Sequence, residues 1–409
     1  MGLLYLDTAR LGQMTEGAQA AHRDFARLVG RIGASGLVEE LLRSGYGRCK
    51  AQIDDEYPGL APWLGLSEFK RQLRLQAGFR PDLPVLISSR SAVLMQFAAR
   101  QIARRCRMIL TTDLTWPAYH EIFLAECRRS GCESVCVHIG EDVLHRHEDP
   151  CYIADRLVSV YREMGCDGIF LTSVSSLGGR LPITKVVEQV RRECRFVVVD
   201  GAQDYCHVGM DVEDGIADLY LAGCHKWLGA YYPLGLAFFG RQETCQELEH
   251  AAKKDLEGYR DSLAADPLLQ FLADFEQDRR RNTGETVNLS NLFGVAGALE
   301  DARRRGDIES RLRTRQRNAD RLTSGLGSIG WDVRVPRGRL RSGVILLKPK
   351  KRYCFGTQSG ESLRQKALQR GIALSAYDRG LVRLSMPDRP LEEATLNRIQ
   401  KSFRDLLKQ

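Results

Sequence analysis

Between residues 84 and 240 the chain repeats one pattern: a short apolar run, a polar or glycine stop, then a longer mixed segment. The runs are Pro84–Ser88, Met108–Thr111, Ser134–Ile139, Gly168–Thr172, Phe196–Asp200, Leu219–Ala222 and Leu236–Phe239. Short continuous apolar runs read as strands buried on both faces, as in a parallel sheet. Their spacing leaves room for a helix in each crossover. Outside this block the period is helical. Thr15 to Ser44 is amphipathic, with breaks near Gly30 and Gly33, and Ser67–Gln76 reads as a helix opened by a Ser cap. Glu243–Tyr259, Leu289–Arg304 and an Arg-rich stretch from Ile308 are further helices. The last hundred residues mix both periods: strands at Gly343–Lys348, Ile372–Ala376 and Leu381–Ser385, a helix at Glu361–Arg370 and a final helix from Leu391. The expectation is an α/β chain in two domains, residues 15–305 and 306–409, the second taking in residues 1–14.

Chemistry concentrates where strands end. The run Phe196–Val199 stops at Asp200, and Leu219–Ala222 stops just before Cys224-His225-Lys226-Trp227. Ligands of parallel sheets bind at the carboxyl ends of the strands, so Asp200 and Lys226 are placed to face one ligand. An acid and an amine so arranged suit pyridoxal phosphate, with the lysine forming the Schiff base and the acid holding the pyridinium nitrogen protonated.

The blocks Asp200-Gly201-Ala202-Gln203, His207-Val208-Gly209-Met210-Asp211-Val212, Ala217-Asp218 and His225-Lys226-Trp227 resemble, in order and spacing, the core of class V aminotransferases. That group of pyridoxal-phosphate enzymes includes cysteine desulfurases, kynureninase and isopenicillin N epimerase-like proteins. The resemblance implies fold type I: a seven-stranded, mostly parallel sheet sandwiched by helices, plus a small C-terminal α/β domain. It implies Lys226 as the Schiff-base lysine, Asp200 as pyridinium partner and Gln203 as a contact to the phenolic oxygen.

Tyr5-Leu6-Asp7-Thr8-Ala9-Arg10-Leu11-Gly12 resembles the family's opening segment, in which a short strand or loop lies near the active site. Four further segments follow. Ser88-Ser89-Arg90-Ser91-Ala92 precedes the helical run Val93–Ala103, and a helix start receives phosphate through free N–H groups and its positive end. By resemblance Ser91 and Ala92 supply the phosphate contacts, with Arg90 replacing the usual glycine. In Thr115-Trp116-Pro117-Ala118-Tyr119 an aromatic is expected to stack on the pyridine ring: Trp116, or else Tyr119. In Ser173-Val174-Ser175-Ser176, Ser176 stands where relatives place an Asn that contacts cofactor or substrate; a hydroxyl cannot copy the amide. Gly223 stands where desulfurases carry a phosphate-binding Ser, which shifts that task toward His225.

Two features bear on substrate and assembly. Val382-Arg383-Leu384-Ser385 is similar to the family's Arg-x-Ser, whose guanidinium grips the substrate α-carboxylate. Gly284-Glu285-Thr286 replaces a Gly-Thr that reaches the neighbouring subunit's phosphate, so the resemblance implies a homodimer with shared sites and Thr286 as the contact. Desulfurases carry a nucleophilic Cys just before the Arg-x-Ser; Ala373 to Gly380 has none, and the nearby Cys354 precedes the helix and fits that role poorly.

Composition changes little. With 60 Lys and Arg against 52 Asp and Glu, the +8 charge is scattered, which disfavours a nucleic-acid surface and suits an anionic cofactor or substrate. Neither a membrane span nor a signal peptide is evident, and a cytoplasmic location is expected. Cys127, Cys132, Cys136, His138, His145, His147 and Cys151 crowd one region but lack a CxxC pair, and no metal is expected. The expected activity is a pyridoxal-phosphate-dependent transformation of an amino acid or amino-acid-like conjugate from secondary metabolism. Lyase-type cleavage and transamination stand level, with epimerisation and a non-catalytic binding protein as alternatives.

Overall fold

The structure is a computed structural model and describes residues 2–33, 36–53, 56–146, 149–209, 212, 214–258, 263, 265–278, 286–350 and 359–407. Met210, Asp211, Arg281–Glu285 and Cys354 lie outside them. The seven apolar runs form one sheet: β1 (Val85–Ser88), β2 (Met108–Thr112), β3 (Glu133–Val137), β4 (Gly168–Thr172), β5 (Phe196–Asp200), β6 (Leu219–Gly223) and β7 (Gly235–Phe239). Their order is β1-β7-β6-β5-β4-β2-β3. Every residue of β4, β5, β6 and β7 is buried, as continuous apolar sequence demands of strands covered on both faces.

One strand departs from the expected direction. β7 runs antiparallel to both its neighbours, β1 and β6. The reason is the short connection: only Cys224–Leu234 separate β6 from β7, too few for a parallel crossover. The segment therefore closes as a hairpin, Cys224 N–H donating to Leu234 O at 3.0 Å, and carries Lys226 at the carboxyl end of β6. The far end of β7, at Gly240, points away from that edge.

Helices cover the sheet. α1 (Glu16–Ile32) is capped by Thr15, whose side chain accepts from Ala18 N–H, and ends at Gly33, so Gly30 lies inside it. The helix at Leu66–Gln76 follows Gly65, and Ser67 sits in its first turn rather than at its cap. α2 (Ser91–Arg105) packs against β5, β6 and β7, α3 (Pro117–Ser130) follows Trp116, and α4 (Pro267–Glu276) and α5 (Ser290–Arg304) complete the large layer.

α6 (Ile308–Ser328) leads to a four-stranded antiparallel sheet, β8 (Trp331–Arg334), β9 (Val344–Pro349), β10 (Ser375–Tyr377) and β11 (Leu381–Ser385), in the order β10-β11-β9-β8. α7 (Gly360–Gln369) and α8 (Glu393–Leu406) flank it. β8, with two charged residues among its four, carries no sequence signal; it is anchored by Trp331, which donates through Nε1 to Phe403 O at 3.1 Å. The expected strand Ile372–Ala376 divides at Leu374. Ile372–Ala373 pairs in parallel with Leu4–Tyr5, while Ser375–Tyr377 turns into the larger sheet. That pairing brings the N-terminal turn to the carboxyl edge of the large sheet.

Candidate active site

A cavity of about 460 Å³ opens between the carboxyl edge of the large sheet, the N-terminal turn and the edge of the small sheet. Asp200 ends β5 and Lys226 follows β6, and both line it. Asp200 is 2% exposed; its Oδ1 accepts from Ala202 N–H at 3.0 Å, and its other oxygen has no hydrogen bond among the described residues. Burial raises its pKa against the pull of the Ala202 N–H and Lys226. Lys226 has no ion pair within bonding range among the described residues, and its pKa falls to about 8, because burial and, less so, Arg383 outweigh Asp200. His225 falls to about 4, from burial and then Lys226, and is neutral.

Gln203 is fixed on both sides. Its Nε2 donates to Ala9 O at 2.7 Å, and its Oε1 accepts from Trp227 Nε1 at 2.8 Å. Trp227 stacks on His207 at 3.5 Å and carries the Arg315 guanidinium over its ring at 5.2 Å. Gly343 N–H donates to His207 Nε2 at 2.9 Å, so that nitrogen is unprotonated and Nδ1 donates to Gln203 O at 2.8 Å. Burial, then Arg315, holds this histidine's pKa well below its usual range. The block Gln203, His207 and Trp227 is thus one hydrogen-bonded unit behind the cavity.

At the other end, α2 begins at Ser91 with no side-chain cap. The N–H groups of Ser91 and Ala92 have no hydrogen bond among the described residues, Ser91 lines the cavity, and Tyr119 O–H donates to Ser91 Oγ at 2.8 Å. Tyr119 is pushed up to about 12 by burial, then Asp200, and stays protonated. Gly235 makes this close approach possible: a Cβ there would meet Ser91 N and Cα at 2.6 Å. Trp116 also lines the cavity but is 45% exposed.

Arg383, on β11, is 3% exposed. It donates to Ser176 O at 3.1 Å and to Ser375 Oγ at 3.0 Å, with Asp7 at 3.7 Å; its Nε–H has no partner. Ser375 Oγ in turn donates to Asp7 Oδ1 at 2.5 Å.

Of the sequence-derived residues, the cavity gathers Lys226, Asp200, Ser91, Trp116, Ser176, Gln203, His225 and Arg383. Ala92 and Thr286 do not line it. Both side chains are exposed, and Ala92 offers at most its backbone N–H in the first turn of α2. Ser176 reaches the site also through its carbonyl, which the amide-for-hydroxyl argument overlooked. The resemblance placed the N-terminal segment near the site, and Ala9 and Arg10 line the cavity, with Asp7 beside Arg383. The particular parts of these residues, and Glu361, Arg364, Ser375 and Tyr377, were missed, because β10 and the rim of α7 carry no motif and only tertiary pairing brings them in.

A sheet of this order, one strand reversed beside the lysine loop, is the architecture of fold-type I pyridoxal-phosphate enzymes, and residues 166–329 match the aminotransferase class-V family model. The match covers Asp200, Gln203 and Lys226. No curated protein matches the chain by sequence. Among solved structures, the cysteine desulfurase of Escherichia coli superposes with a TM-score of 0.69 at 16% identity, covering 99% of this chain and 95% of its own. The alanine–glyoxylate aminotransferase of Nostoc sp. gives 0.67 at 13%, covering 100% and 96%. The pyridoxamine–pyruvate aminotransferase of Mesorhizobium loti gives 0.64 at 16%, covering 100% and 92%.

The donor set fits pyridoxal phosphate. A buried carboxylate oxygen without a partner suits a ring N–H, an uncapped helix start suits the phosphate, and a lysine with lowered pKa suits carbonyl chemistry. No helix among the described residues is long and apolar enough to cross a membrane.

Proposed function

We propose that this chain is a pyridoxal-phosphate-dependent enzyme acting at Cα of an α-amino acid or a conjugate carrying one, by amino transfer or by a lyase-type cleavage. The observation that carries this reading is the convergence of Lys226 and Asp200 from adjoining strand ends on one cavity, with the buried Arg383 across it. Bound pyridoxal phosphate supplies an electron sink for charge developing at Cα.

The residues then have separate tasks. Ser91 Oγ, the first-turn N–H groups of α2 and His225 hold the phosphate, with Tyr119 O–H orienting Ser91. Trp116 covers the ring, and Gln203 presents its remaining amide hydrogen to the phenolic oxygen. Asp200 holds a proton on the ring nitrogen; its burial keeps water from competing for that contact. Arg383 holds the substrate α-carboxylate through its Nη groups and the unpaired Nε–H, and Ser176 O and Ser375 Oγ keep the fork in place. Lys226 Nζ, freed by substrate, takes and returns the proton at Cα. Thr286, exposed on the single chain, would meet the phosphate of a second copy in a homodimer.

A desulfurase relay is disfavoured. β10 and β11 pair from Tyr377 and Leu381 across a three-residue turn, Asp378–Gly380, which is too short to carry a thiol into the cavity.

The test incubates holoenzyme with a panel of amino acids and follows both the cofactor's visible absorption and the products. Lasting loss of the band with a keto acid identifies amino transfer. A band that recovers, with release of ammonia, sulfide or carbon dioxide, identifies a lyase. A holoenzyme whose spectrum responds to no amino acid contradicts the reading.

A further inference from the structure

The chemistry above leaves one wall of the cavity unused. Arg10, Glu361, Arg364 and Tyr377 line its mouth, while the inner wall already contains a cation, Arg383, for the α-carboxylate. We propose that Arg10 and Arg364 receive a second, distal anionic group, so that the substrate is an α-amino acid bearing a further carboxylate or comparable anion. This rests on the pyridoxal-phosphate reading and names the substrate class of the same site.

Three observations carry it. First, Arg10 is an exposed cation whose side chain makes no ion pair or hydrogen bond among the described residues; it attracts Glu361 only at longer range, and Glu361 is already paired with Arg364. Second, its position is built, not loose. Ala9 N–H donates to Ser385 Oγ at 2.8 Å, Ala9 O accepts from Gln203, and Gly12 N–H donates to His225 O at 2.8 Å. The backbone on both sides of Arg10 is therefore pinned to residues of the cavity itself. Third, among the described residues the Arg364 side chain is held only by Glu361, 2.7 Å away, with 37% and 54% of the two side chains exposed.

An ion pair open to water contributes little, because solvent screens it and two long side chains must be ordered. A substrate anion can share Arg364 at small cost. Hydrogen bonds from Arg364 and Gln365 lower the pKa of Glu361 and keep it ionised, which leaves the mouth with two cations against one anion. That balance favours a distal anion and disfavours a distal amine. Arg383 is held deep in the cavity by Ser176 O and Ser375 Oγ, where it meets the α-carboxylate and cannot also meet a distal anion at the mouth.

The experiment uses holoenzyme and unreactive acids, read by the shift each causes in the cofactor's visible absorption. Propionate is compared with malonate, succinate, glutarate and 3-sulfopropionate. At least one doubly anionic acid is expected to bind about tenfold tighter than propionate, from a charge-assisted contact to a guanidinium. In Arg10→Gln that ratio falls toward one, and added salt lowers it in the wild type. Sulfopropionate against succinate tells which anion the mouth prefers. Equal binding of propionate and every bis-anion overturns the proposal, as does a ratio unchanged in both Arg10→Gln and Arg364→Gln. A chain that takes up no pyridoxal phosphate overturns the underlying reading, and the proposal with it, before any acid is added.

Discussion

On the sheet side of the cavity Asp200, Gln203 and Ser91 each accept a hydrogen bond from a neighbouring group; on the mouth side Glu361 is held by Arg364 and Gln365, both at the surface, and the Arg10 side chain has no ion pair or hydrogen bond among the described residues. The first arrangement fixes donors before any ligand arrives, which is what chemistry at a reacting atom requires. The second leaves charges in water, where they can select a ligand but stabilise little. Substitutions on the two walls should therefore differ in kind as well as in size.

The largest break is Lys226→Ala, which removes the nucleophile and the proton carrier together. Cofactor-dependent turnover is expected to fall by about a thousandfold or more, measured in single-turnover assays. Asp200→Asn comes next: the cofactor still binds, but kcat falls on the order of a hundredfold because the ring nitrogen loses its charged partner. Arg383→Lys keeps the charge and loses the fork, so KM for the amino acid rises about tenfold or more with a smaller change in kcat.

Acidity sharpens the contrast without substrate. Native Lys226 releases its proton near pH 8, whereas the unfolded side chain keeps it to about 10.4. Between these values the unfolded state binds more protons, so the cofactor-free protein should gain stability as pH rises through that window. Denaturant titrations at several pH values should show this slope, and Lys226→Met should flatten it. The smallest effect belongs to the mouth. Glu361→Gln should leave the melting temperature of the cofactor-free protein unchanged, since its partner is open to solvent.

Most of the sheet wall was legible in the sequence. A buried strand followed at once by Asp, and another followed by His-Lys, is a local signal that survives without tertiary information. β5, with Val197 to Val199 wholly buried, occupies Phe196–Asp200, the run read from the sequence. The direction of β7 was not legible in its own residues; it depended on the shortness of the Cys224–Leu234 hairpin. Of the mouth wall only the nearness of the N-terminal segment was legible; which of its residues face the site depends on the pairing of Leu4–Tyr5 with Ile372–Ala373 and on the hydrogen bonds of Ala9 and Gly12 to Ser385, Gln203 and His225. That pairing also split a strand that looked continuous from Ile372 to Ala376. Residues whose role depends on contacts hundreds of positions away leave no period or motif to read.

The central claim is that Lys226 is the residue to which pyridoxal phosphate attaches. Reduction of the reconstituted protein with borohydride, then proteolysis and mass spectrometry, tests it directly. The account predicts one reduced cofactor adduct, on the peptide containing Lys226, and its loss in Lys226→Ala. An adduct spread over surface lysines, or one that persists in that variant, would contradict it.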